Sequence, residues 1–194
     1  MKISEIIMAT NNQNKLKEAR EILAPLGITV VSLAEAGISV NPEENGTTFA
    51  ENAIIKACAV YDLVKRPVMA DDSGLCVETL GDAPGVYSAR YAPKGQECQK
   101  LLQEMQNIPD SDRTARFETA ICFIDESNQQ YIAYGRCNGK IAFAEKGKNG
   151  FGYDPVFLYG DRTLAELSAE EKNKISHRGY ALRNLYEFLK ERDT

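Results

Sequence analysis

The sequence has no tryptophan, one histidine and no long apolar run, and these shortages exclude several classes of protein. The single histidine, His177, has no second histidine and no Cys-x-x-Cys pair to join it, so we do not expect a zinc site. No stretch approaches the ~18 apolar residues of a membrane span, and the short apolar run near the first residue is interrupted by Glu5, unlike a signal peptide. The five cysteines are odd in number and widely spaced, which does not indicate a disulfide framework. We therefore expect a cytoplasmic protein without a membrane partner.

Positive charge is also in short supply, since 23 lysines and arginines face 28 aspartates and glutamates, a net charge of −5. A protein that wraps duplex nucleic acid needs a basic face, so a nucleic-acid partner is not expected. A small anionic ligand remains compatible, because a few lysines can bind it locally. The chain of 194 residues is long enough to bury a substantial core, and no linker or repeat divides it. We therefore expect one domain over residues 1–194.

The common phosphate-binding motifs are missing as well. Gly147-Lys148 is followed by Asn149 rather than by the serine or threonine of a Walker P-loop, and Ala142 stands where that motif has its first glycine. No Gly-x-Gly-x-x-Gly occurs in the chain. A kinase-type or dinucleotide-type phosphate cradle is therefore disfavoured.

The order of the apolar segments predicts an α/β fold. Apolar stretches at residues 3–9, 28–33 and 67–70 indicate strands, and segments with helical periodicity lie between them. Two longer strands, 115–124 and 130–137, flank a polar turn and predict a hairpin. This mixture indicates a mixed β-sheet flanked by helices.

Two capping boxes predict where helices begin. Thr48 with Glu51 starts a helix, and Ser168 with Glu171 starts a short one that ends near His177, ahead of a last helix. The core-facing positions predicted for the first of these helices follow helical spacing: Ile54, Ala57, Cys58, Tyr61, Val64.

The first strand leads into a turn rich in amides at the start of a helix, Thr10-Asn11-Asn12-Gln13-Asn14-Lys15. A helix N-terminus presents free N–H groups and the positive end of its dipole, which bind phosphate. Taken alone, the segment is better explained as a helix cap made by one asparagine, with the other amides in solvent.

Two adjacent carboxylates, Asp71 and Asp72, follow the third strand and precede Ser73-Gly74, so they are predicted to lie at a turn where that strand ends. Ligands gather at the carboxyl ends of strands in an open α/β sheet. Mg²⁺ takes one or two carboxylates and completes its octahedron with water and substrate phosphates. Glu43-Glu44 could supply a second ligand. The structural alternative is an Asx-turn at Asp-Ser-Gly.

Two further clusters could hold a base or a phosphate. His177 and Arg178, with Lys172 close before them, are all donors when charged, although a lone histidine is more often a satisfied structural residue. The segment Phe151-Gly152-Tyr153-Asp154 combines aromatic faces with a carboxylate that can accept a base N–H, and base stacking contributes ~1–3 kcal/mol. A core aromatic pair around a turn is the alternative for that segment.

Taken together, these segments resemble one family, the inosine triphosphate pyrophosphatases, over nearly the whole chain. The motifs that carry the resemblance are ATNNQNK (9–15), ENGTTFAENA (44–53), ADDSG (70–74), PGVYSARY (84–91), GFGYDP (150–155) and SHR (176–178), with Lys56 after the second. The resemblance implies a two-lobed α/β fold with a long mixed sheet, an active site in the cleft between the lobes, and a homodimer.

The resemblance also implies Mg²⁺-dependent hydrolysis of ITP, dITP and XTP to the monophosphate and pyrophosphate, which removes deaminated purines from the nucleotide pool. In this sequence Glu44 and Asp72 would hold Mg²⁺, Asp72 would also be the general base, and Lys56 would face the phosphates as a catalytic residue. Asp71 would support Asp72 or share the metal. The substrate-binding residues implied are Thr10, Asn11, Asn12, Gln13, Asn14, Lys15, Ser73, Phe151, Gly152, Tyr153, Asp154, Lys172, Ser176, His177 and Arg178.

The chemistry of purines suggests how such a site would choose its substrate. Hypoxanthine and xanthine present an acceptor at position 6, whereas adenine presents a donor. Donors from Lys172, His177 or Arg178 would be unpaired against adenine, a penalty of about 1–3 kcal/mol per buried group. Two other functions stay open: a nucleotide-binding sensor that does not hydrolyse, and a pyrophosphatase of the same fold for other modified nucleotides.

Overall fold

The computed structural model describes residues 3–192, in which strands and helices alternate before a long hairpin. The strands are β1 (Glu5–Met8), β2 (Thr29–Ser32), β3 (Val68–Val77), β4 (Ala83–Pro84), β5 (Thr114–Ile124), β6 (Gln130–Ile141), β7 (Phe157–Tyr159) and β8 (Arg162–Thr163). The α-helices are α1 (Gln13–Leu23), α2 (Phe49–Val64), α3 (Glu97–Glu104), α4 (Ala169–Ile175) and α5 (His177–Arg192). Within this part of the chain, no helix combines the length and the hydropathy that a membrane crossing requires.

The strands form one mixed sheet in the order β2-β1-β3-β5-β6-β7-β8, with β4 paired to β3. Strand β1 runs parallel to β2 and β3, and the remaining neighbours are antiparallel. The predicted α/β fold with a mixed sheet is confirmed.

Three apolar clusters divide the long strands into two lobes. In the first lobe, Met69 packs with residues of α1 and α5 on one face of the sheet, while Val68 and Ala70 pack with α2 on the other. In the second lobe, Leu75 and Val77 pack with residues of α3 and with the segment before β7. Polar residues at positions 71–73 of β3 therefore lie between the two lobes.

The structure corrects the prediction that Asp71-Asp72-Ser73-Gly74 form a turn after a short strand. All four lie inside β3, which is ten residues long, because the antiparallel partner β5 pairs with it from Val68 to Val77. The strand that ends here is β1, whose last residue Met8 pairs with Met69. The two aspartates therefore lie just past the carboxyl end of the parallel neighbour.

Both predicted capping boxes are present, at the starts of α2 and α4. The buried face of α2 differs from the prediction, since Ile54, Cys58 and Val64 are only half-buried. The buried residues are Asn52, Ala53, Ala57, Val60 and Tyr61. Ile54, Cys58 and Val64 pack against the edge of this apolar cluster.

The end of the chain is also arranged differently from the prediction. His177 and Arg178 do not lie between two helices but form the first turn of α5. The buried hydroxyl of Ser176 accepts a hydrogen bond from the Gly179 N–H at 3.0 Å, which caps that helix. The buried side chains of His177 and Arg178 are therefore held on the first turn of a helix.

Candidate active site

Asp71 and Asp72 project from opposite faces of the sheet, because successive side chains of a strand alternate. Asp71 contacts Lys15 of α1 and Arg178 of α5. Asp72 contacts Asn52 and Lys56, both from α2. The two aspartates therefore belong to two separate side-chain clusters, one on each face of β3.

The cluster around Asp72 joins the residues implied in metal binding and catalysis. The Lys56 Nζ atom lies 3.0 Å from Asp72 Oδ1 and 2.7 Å from Glu44 Oε2. Asn52 lies one turn before Lys56 on α2, and its Nδ2 donates to Asp72 Oδ2 at 3.2 Å. One helix face thus supplies donors to both oxygens of the Asp72 carboxylate.

The protonation of this cluster follows from its burial and its charges. Burial raises the pKa of Asp72, in spite of the adjacent Lys56 ammonium. Burial would lower the pKa of Lys56, but Asp72, Asp71 and Glu44 raise it instead. The lysine therefore stays charged, while the Asp72 carboxylate has a greater proton affinity than an aspartate in water.

The donor set of this cluster suits a magnesium ion. Glu44 and Asp72 offer hard oxygen ligands, and both approach the same lysine nitrogen, so they lie close together. Among residues 3–192, no group of three or more histidine, cysteine, aspartate or glutamate side chains converges on a metal position. Two carboxylates with room for water and phosphate oxygens are typical of Mg²⁺ and not of zinc.

The second cluster surrounds Asp71. Both Lys15 Nζ, at 3.2 Å, and Arg178 Nε, at 3.0 Å, approach Asp71 Oδ2, and Arg178 Nη2 donates to Ser73 Oγ at 2.9 Å. Burial by itself would raise the pKa of Asp71, but Lys15, Arg178 and Lys56 lower it well below its usual value. Asp71 is therefore a permanent anion, and its buried Oδ1 atom has no hydrogen-bond partner among the described residues.

Glu18 of α1 is a member of this second cluster that the sequence analysis missed. Its carboxylate accepts from Lys172 at 2.8 Å and pairs with Arg178. The pKa of Glu18 is lowered, because the attraction of Arg178 and Lys172 outweighs a burial that alone would raise it. No local pattern marks this glutamate, since its partners lie more than 150 residues away in the chain.

The segment Phe151-Gly152-Tyr153-Asp154 divides into two roles. Asp154 accepts from Lys172 at 2.6 Å, and that ammonium lies 4.7 Å from the centre of the Phe151 ring. Tyr153 instead packs in the core of the second lobe, and its hydroxyl donates to the Ser88 carbonyl at 2.9 Å. Tyr153 is therefore a core residue, as the alternative explanation for this segment predicts, whereas Phe151 and Asp154 contact Lys172. Gly152 is exposed.

A glycine at position 150 is required for this arrangement. Gly150 has φ +74°, and a Cβ there would lie 2.0 Å from Asp154 Oδ2. The loop therefore closes over the Asp154 carboxylate, which also accepts from the Phe151 N–H at 2.8 Å. Burial raises the pKa of Asp154 against the effect of Lys172.

His177 is buried, and its surroundings favour the neutral ring. Its ring stacks on Phe117, with the centroids 4.7 Å apart and an angle of 12° between the planes. Burial lowers its pKa well below the usual value, and the nearby Arg178 and Lys172 lower it further. The lowered pKa favours the neutral ring at neutral pH, and the buried Nδ1 atom has no partner among the described residues.

The amide-rich turn before α1 is divided between a cap and a charged side chain. Asn12 Oδ1 accepts from the N–H groups of Asn14 at 3.0 Å and Lys15 at 3.3 Å, and Thr10 Oγ1 accepts from the Asn12 N–H at 3.1 Å. The cap explanation is therefore right for Asn12. Residues 11–14 are exposed, whereas the Lys15 side chain reaches inward to Asp71, and burial lowers its pKa although Asp71 opposes that effect.

Comparisons with known proteins agree over nearly the whole chain. The sequence profile of the Ham1 family matches residues 6–188. A curated relative from Bacillus subtilis (strain 168), named dITP/XTP pyrophosphatase, is 47% identical over 193 residues, which are 96% of this chain and 98% of the relative. The solved structure of the Staphylococcus aureus Ham1 protein has a TM-score of 0.85 and 39% identity, with 97% of this chain and 99% of that chain covered. A HAM1 protein from Coxiella burnetii has a TM-score of 0.86 and 43% identity, with coverage of 97% and 100%.

Proposed function

The chain belongs to the Ham1 family, and from that membership we propose how its two side-chain clusters carry out one reaction. The protein is a hydrolase of noncanonical purine nucleoside triphosphates, and relatives named for dITP and XTP cover it almost end to end. The contact of Lys56 with both Glu44 and Asp72 carries the mechanism. With a triphosphate bound beside Lys56, a carboxylate base, a phosphate-binding cation and a second carboxylate would lie within reach of one phosphorus atom.

In the proposed reaction, a water oxygen attacks the α-phosphorus, and the bond from that phosphorus to the bridging oxygen breaks. The products are the nucleoside monophosphate and pyrophosphate, and Asp72 takes the proton of the attacking water. Its raised pKa suits that task, since a base works best when its proton affinity is not too low. Lys15 and Lys56 bind the triphosphate and offset its negative charge. A bound Mg²⁺, held by Glu44 and Asp72, would neutralise phosphate charge and orient the phosphate oxygens.

The cluster around Asp71 is proposed to hold the base and the sugar. Lys172 presents an ammonium over the Phe151 ring, so a donor and an aromatic face lie together, as a purine with a 6-carbonyl requires. Asp71, Glu18 and Asp154 hold Lys172 and Arg178 in place through buried ion pairs. An adenine amino group at the same place would meet donors and leave them unpaired.

We further propose that the protein works in the cytoplasm as a homodimer, each subunit a single domain over residues 1–194. The cytoplasm is proposed because nucleoside triphosphates are made and used there. The dimer is supported by Tyr134, which is 61% exposed although it lines a groove of about 500 Å³ beside Phe49. Exposed aromatic side chains of this kind are enriched where proteins associate. Light scattering after gel filtration measures the mass, and a monomer at micromolar concentration would contradict a stable dimer.

Product analysis tests the reaction itself. Purified protein is incubated with Mg²⁺ and, separately, ITP, XTP, dITP, ATP, GTP and a pyrimidine triphosphate. We expect IMP or XMP with pyrophosphate, and little product from ATP and GTP. A nucleoside diphosphate with orthophosphate would mean attack at the γ-phosphorus and would contradict the proposed mechanism. Omission of Mg²⁺, with EDTA present, tests the metal requirement in the same assay.

A further inference from the structure

Asn52 is a buried amide on α2 with 1% of its surface exposed. Its Oδ1 atom accepts from the Gly46 N–H at 2.8 Å, and its Nδ2 atom donates to Asp72 Oδ2 at 3.2 Å. Gly46 is two residues after Glu44, in a segment without helix or strand. One side chain therefore connects the loop that carries one carboxylate of the site to the strand that carries the other.

The orientation of this amide is determined by its two partners. The Gly46 N–H can only donate, and the Asp72 carboxylate accepts. In the opposite orientation the Asn52 NH₂ group would meet the Gly46 N–H, and the Asn52 oxygen would meet the carboxylate. The loop side of the contact is also close, since a Cβ at Gly46 would lie 2.7 Å from Asn52 Oδ1. The amide thus fits between the two elements in one orientation.

We propose that Asn52 is a positioning residue that fixes the separation of the Glu44 and Asp72 carboxylates for a divalent cation bound with the substrate. The inference rests on the proposed function, because it concerns the cation site assigned there. Outer partners of metal ligands typically change metal affinity or activity by about 10–100-fold, because ligands must be held within fractions of an ångström. Lys56 also contacts both carboxylates, but its flexible stem and point charge impose less geometry than a planar amide does.

Other contacts hold the same loop, and they make a specific test possible. Glu51 accepts from the N–H groups of Thr47 and Thr48, and Arg90 donates to the Glu44 carbonyl at 3.3 Å. Loss of the Asn52 amide should therefore change the spacing of the carboxylates without unfolding the loop.

The first variant is Asn52→Ala, and the direct readout is binding of Mn²⁺ by electron paramagnetic resonance in the presence of an α,β-methylene analogue of ITP, which is not hydrolysed. We expect the Kd for Mn²⁺ to rise about tenfold or more. In turnover assays, we expect kcat to fall and the Mg²⁺ concentration for half-maximal rate to rise, while KM for ITP at saturating Mg²⁺ changes less than either. A Kd for Mn²⁺ and a kcat that both stay within about twofold of wild type would overturn the inference.

Two more variants separate positioning from stability. Thr48→Ala removes the cap of the same helix, so it is expected to lower Tm while the Kd for Mn²⁺ stays at the wild-type value. Gly46→Ala leaves Asn52 in place but pushes against its amide from the loop, so it is expected to weaken Mn²⁺ binding in the same direction. If Asn52→Ala does not fold, Gly46→Ala decides the question, and wild-type Mn²⁺ affinity in that variant would count against the inference.

Failure of the proposed function has a different signature. It would show as absence of ITP hydrolysis by the wild-type protein, whatever the variants do. The comparison of Mn²⁺ affinity between wild type and Asn52→Ala would still test the positioning role.

Discussion

Asp71 and Asp72 are consecutive residues, yet Asp71 pairs with Arg178 of α5 while Asp72 pairs with Lys56 of α2, on the opposite face of the sheet. The alternation of side chains along β3 lets one strand connect the proposed metal site to the proposed base-binding cluster. The same arrangement separates the chemical states of the two carboxylates, since the pKa of Asp71 is lowered by paired cations and that of Asp72 is raised by burial. Asp72 is therefore assigned to the proposed metal site and Asp71 to the base-binding cluster, a distinction that the sequence alone does not make.

The first prediction concerns Asp72→Asn. The amide has the shape of the carboxylate but cannot take a proton from water, so kcat for ITP should fall by about 10²–10⁴-fold. Lys56 keeps its second carboxylate partner, Glu44, and burial disfavours the charged form of Asp72, so the variant should remain folded, with a Tm close to that of wild type. Steady-state pyrophosphate release and a thermal melt measure the two effects. A folded variant with a near wild-type rate would remove Asp72 from the mechanism.

Asp71→Asn should instead reduce stability. The substitution leaves the buried cations of Lys15 and Arg178 without their shared anion, and the loss of one partner of a buried ion pair typically costs about 3–5 kcal/mol. Urea denaturation of both aspartate variants side by side makes the comparison. Equal stability of the two variants would contradict the assignment of Asp71 as the structural anion of the cluster.

Glu18→Gln should weaken discrimination between ITP and ATP. The substitution removes the negative charge of Glu18, so Lys172 and Arg178 lose a buried partner and are held less firmly. The ratio of kcat/KM for ITP over ATP should therefore fall by about tenfold. Glu21→Gln is the matched control, since Glu21 lies one turn later on the same helix and contacts Asn173 near the surface. The same fall in both variants would mean that the effect comes from the helix and not from the cluster.

His177 predicts a pH dependence of stability. The pKa of this buried histidine is depressed below the ordinary value of about 6.5 that it has in the unfolded chain. Below that pH the unfolded state binds a proton that the folded state does not, so stability should fall as pH decreases, by up to about 1.4 kcal/mol per pH unit, until the folded pKa is reached.

Urea unfolding at pH 7.5, 6.5 and 5.5 checks this dependence, with His177→Asn as the comparison, because the chain has no other histidine. The variant should lose less stability than wild type over that interval, and parallel losses would contradict the prediction.

At neutral pH, His177→Ala should also narrow the preference for ITP over ATP, whereas equal losses on both substrates would argue against contact between His177 and the base.

Arg113 supplies a prediction about stability alone. Its guanidinium is buried with 1% exposure and donates to four backbone carbonyls, those of Met105, Ile108, Ile141 and Ala142. Arg113→Met fills similar volume but leaves these acceptors without donors, so unfolding free energy should fall by about 3 kcal/mol or more. The kcat for ITP should be unchanged below the transition, because Arg113 contacts neither cluster. A loss of kcat without a loss of stability would be the contrary result.

Local patterns predicted much of the fold. The capping boxes of Thr48 and Ser168 mark the starts of α2 and α4, and the turn between β5 and β6 lies where polar residues interrupt two apolar runs. The length of β3 was missed, because its Asp-Asp-Ser-Gly sequence is typical of a turn and only the pairing with β5 keeps it extended. Long-range pairing outweighs local preference there.

The proposed site shows the same division. Glu44, Lys56 and Asp72 carry recognisable chemistry, and the fold brings them into contact. Tyr153 carries equally suggestive chemistry, but its hydroxyl binds the Ser88 carbonyl within the core of the second lobe. Sequence cannot separate these cases, because the residue types do not reveal which face of an element meets solvent.

The sequence by itself determined the α/β pattern of the longer strands and helices, two helix caps and the family resemblance, since these depend on residues close together in the chain or on motif order. The tertiary structure decided that Asp71 and Asp72 face different helices, that His177 is buried where its pKa is lowered, and that Glu18 joins the second cluster. Those properties depend on burial and on charges brought together from distant segments, such as Glu18 with Lys172 and Arg178. A charge is stabilised or neutralised by what surrounds it in space, and for buried groups those neighbours come from other elements of the fold.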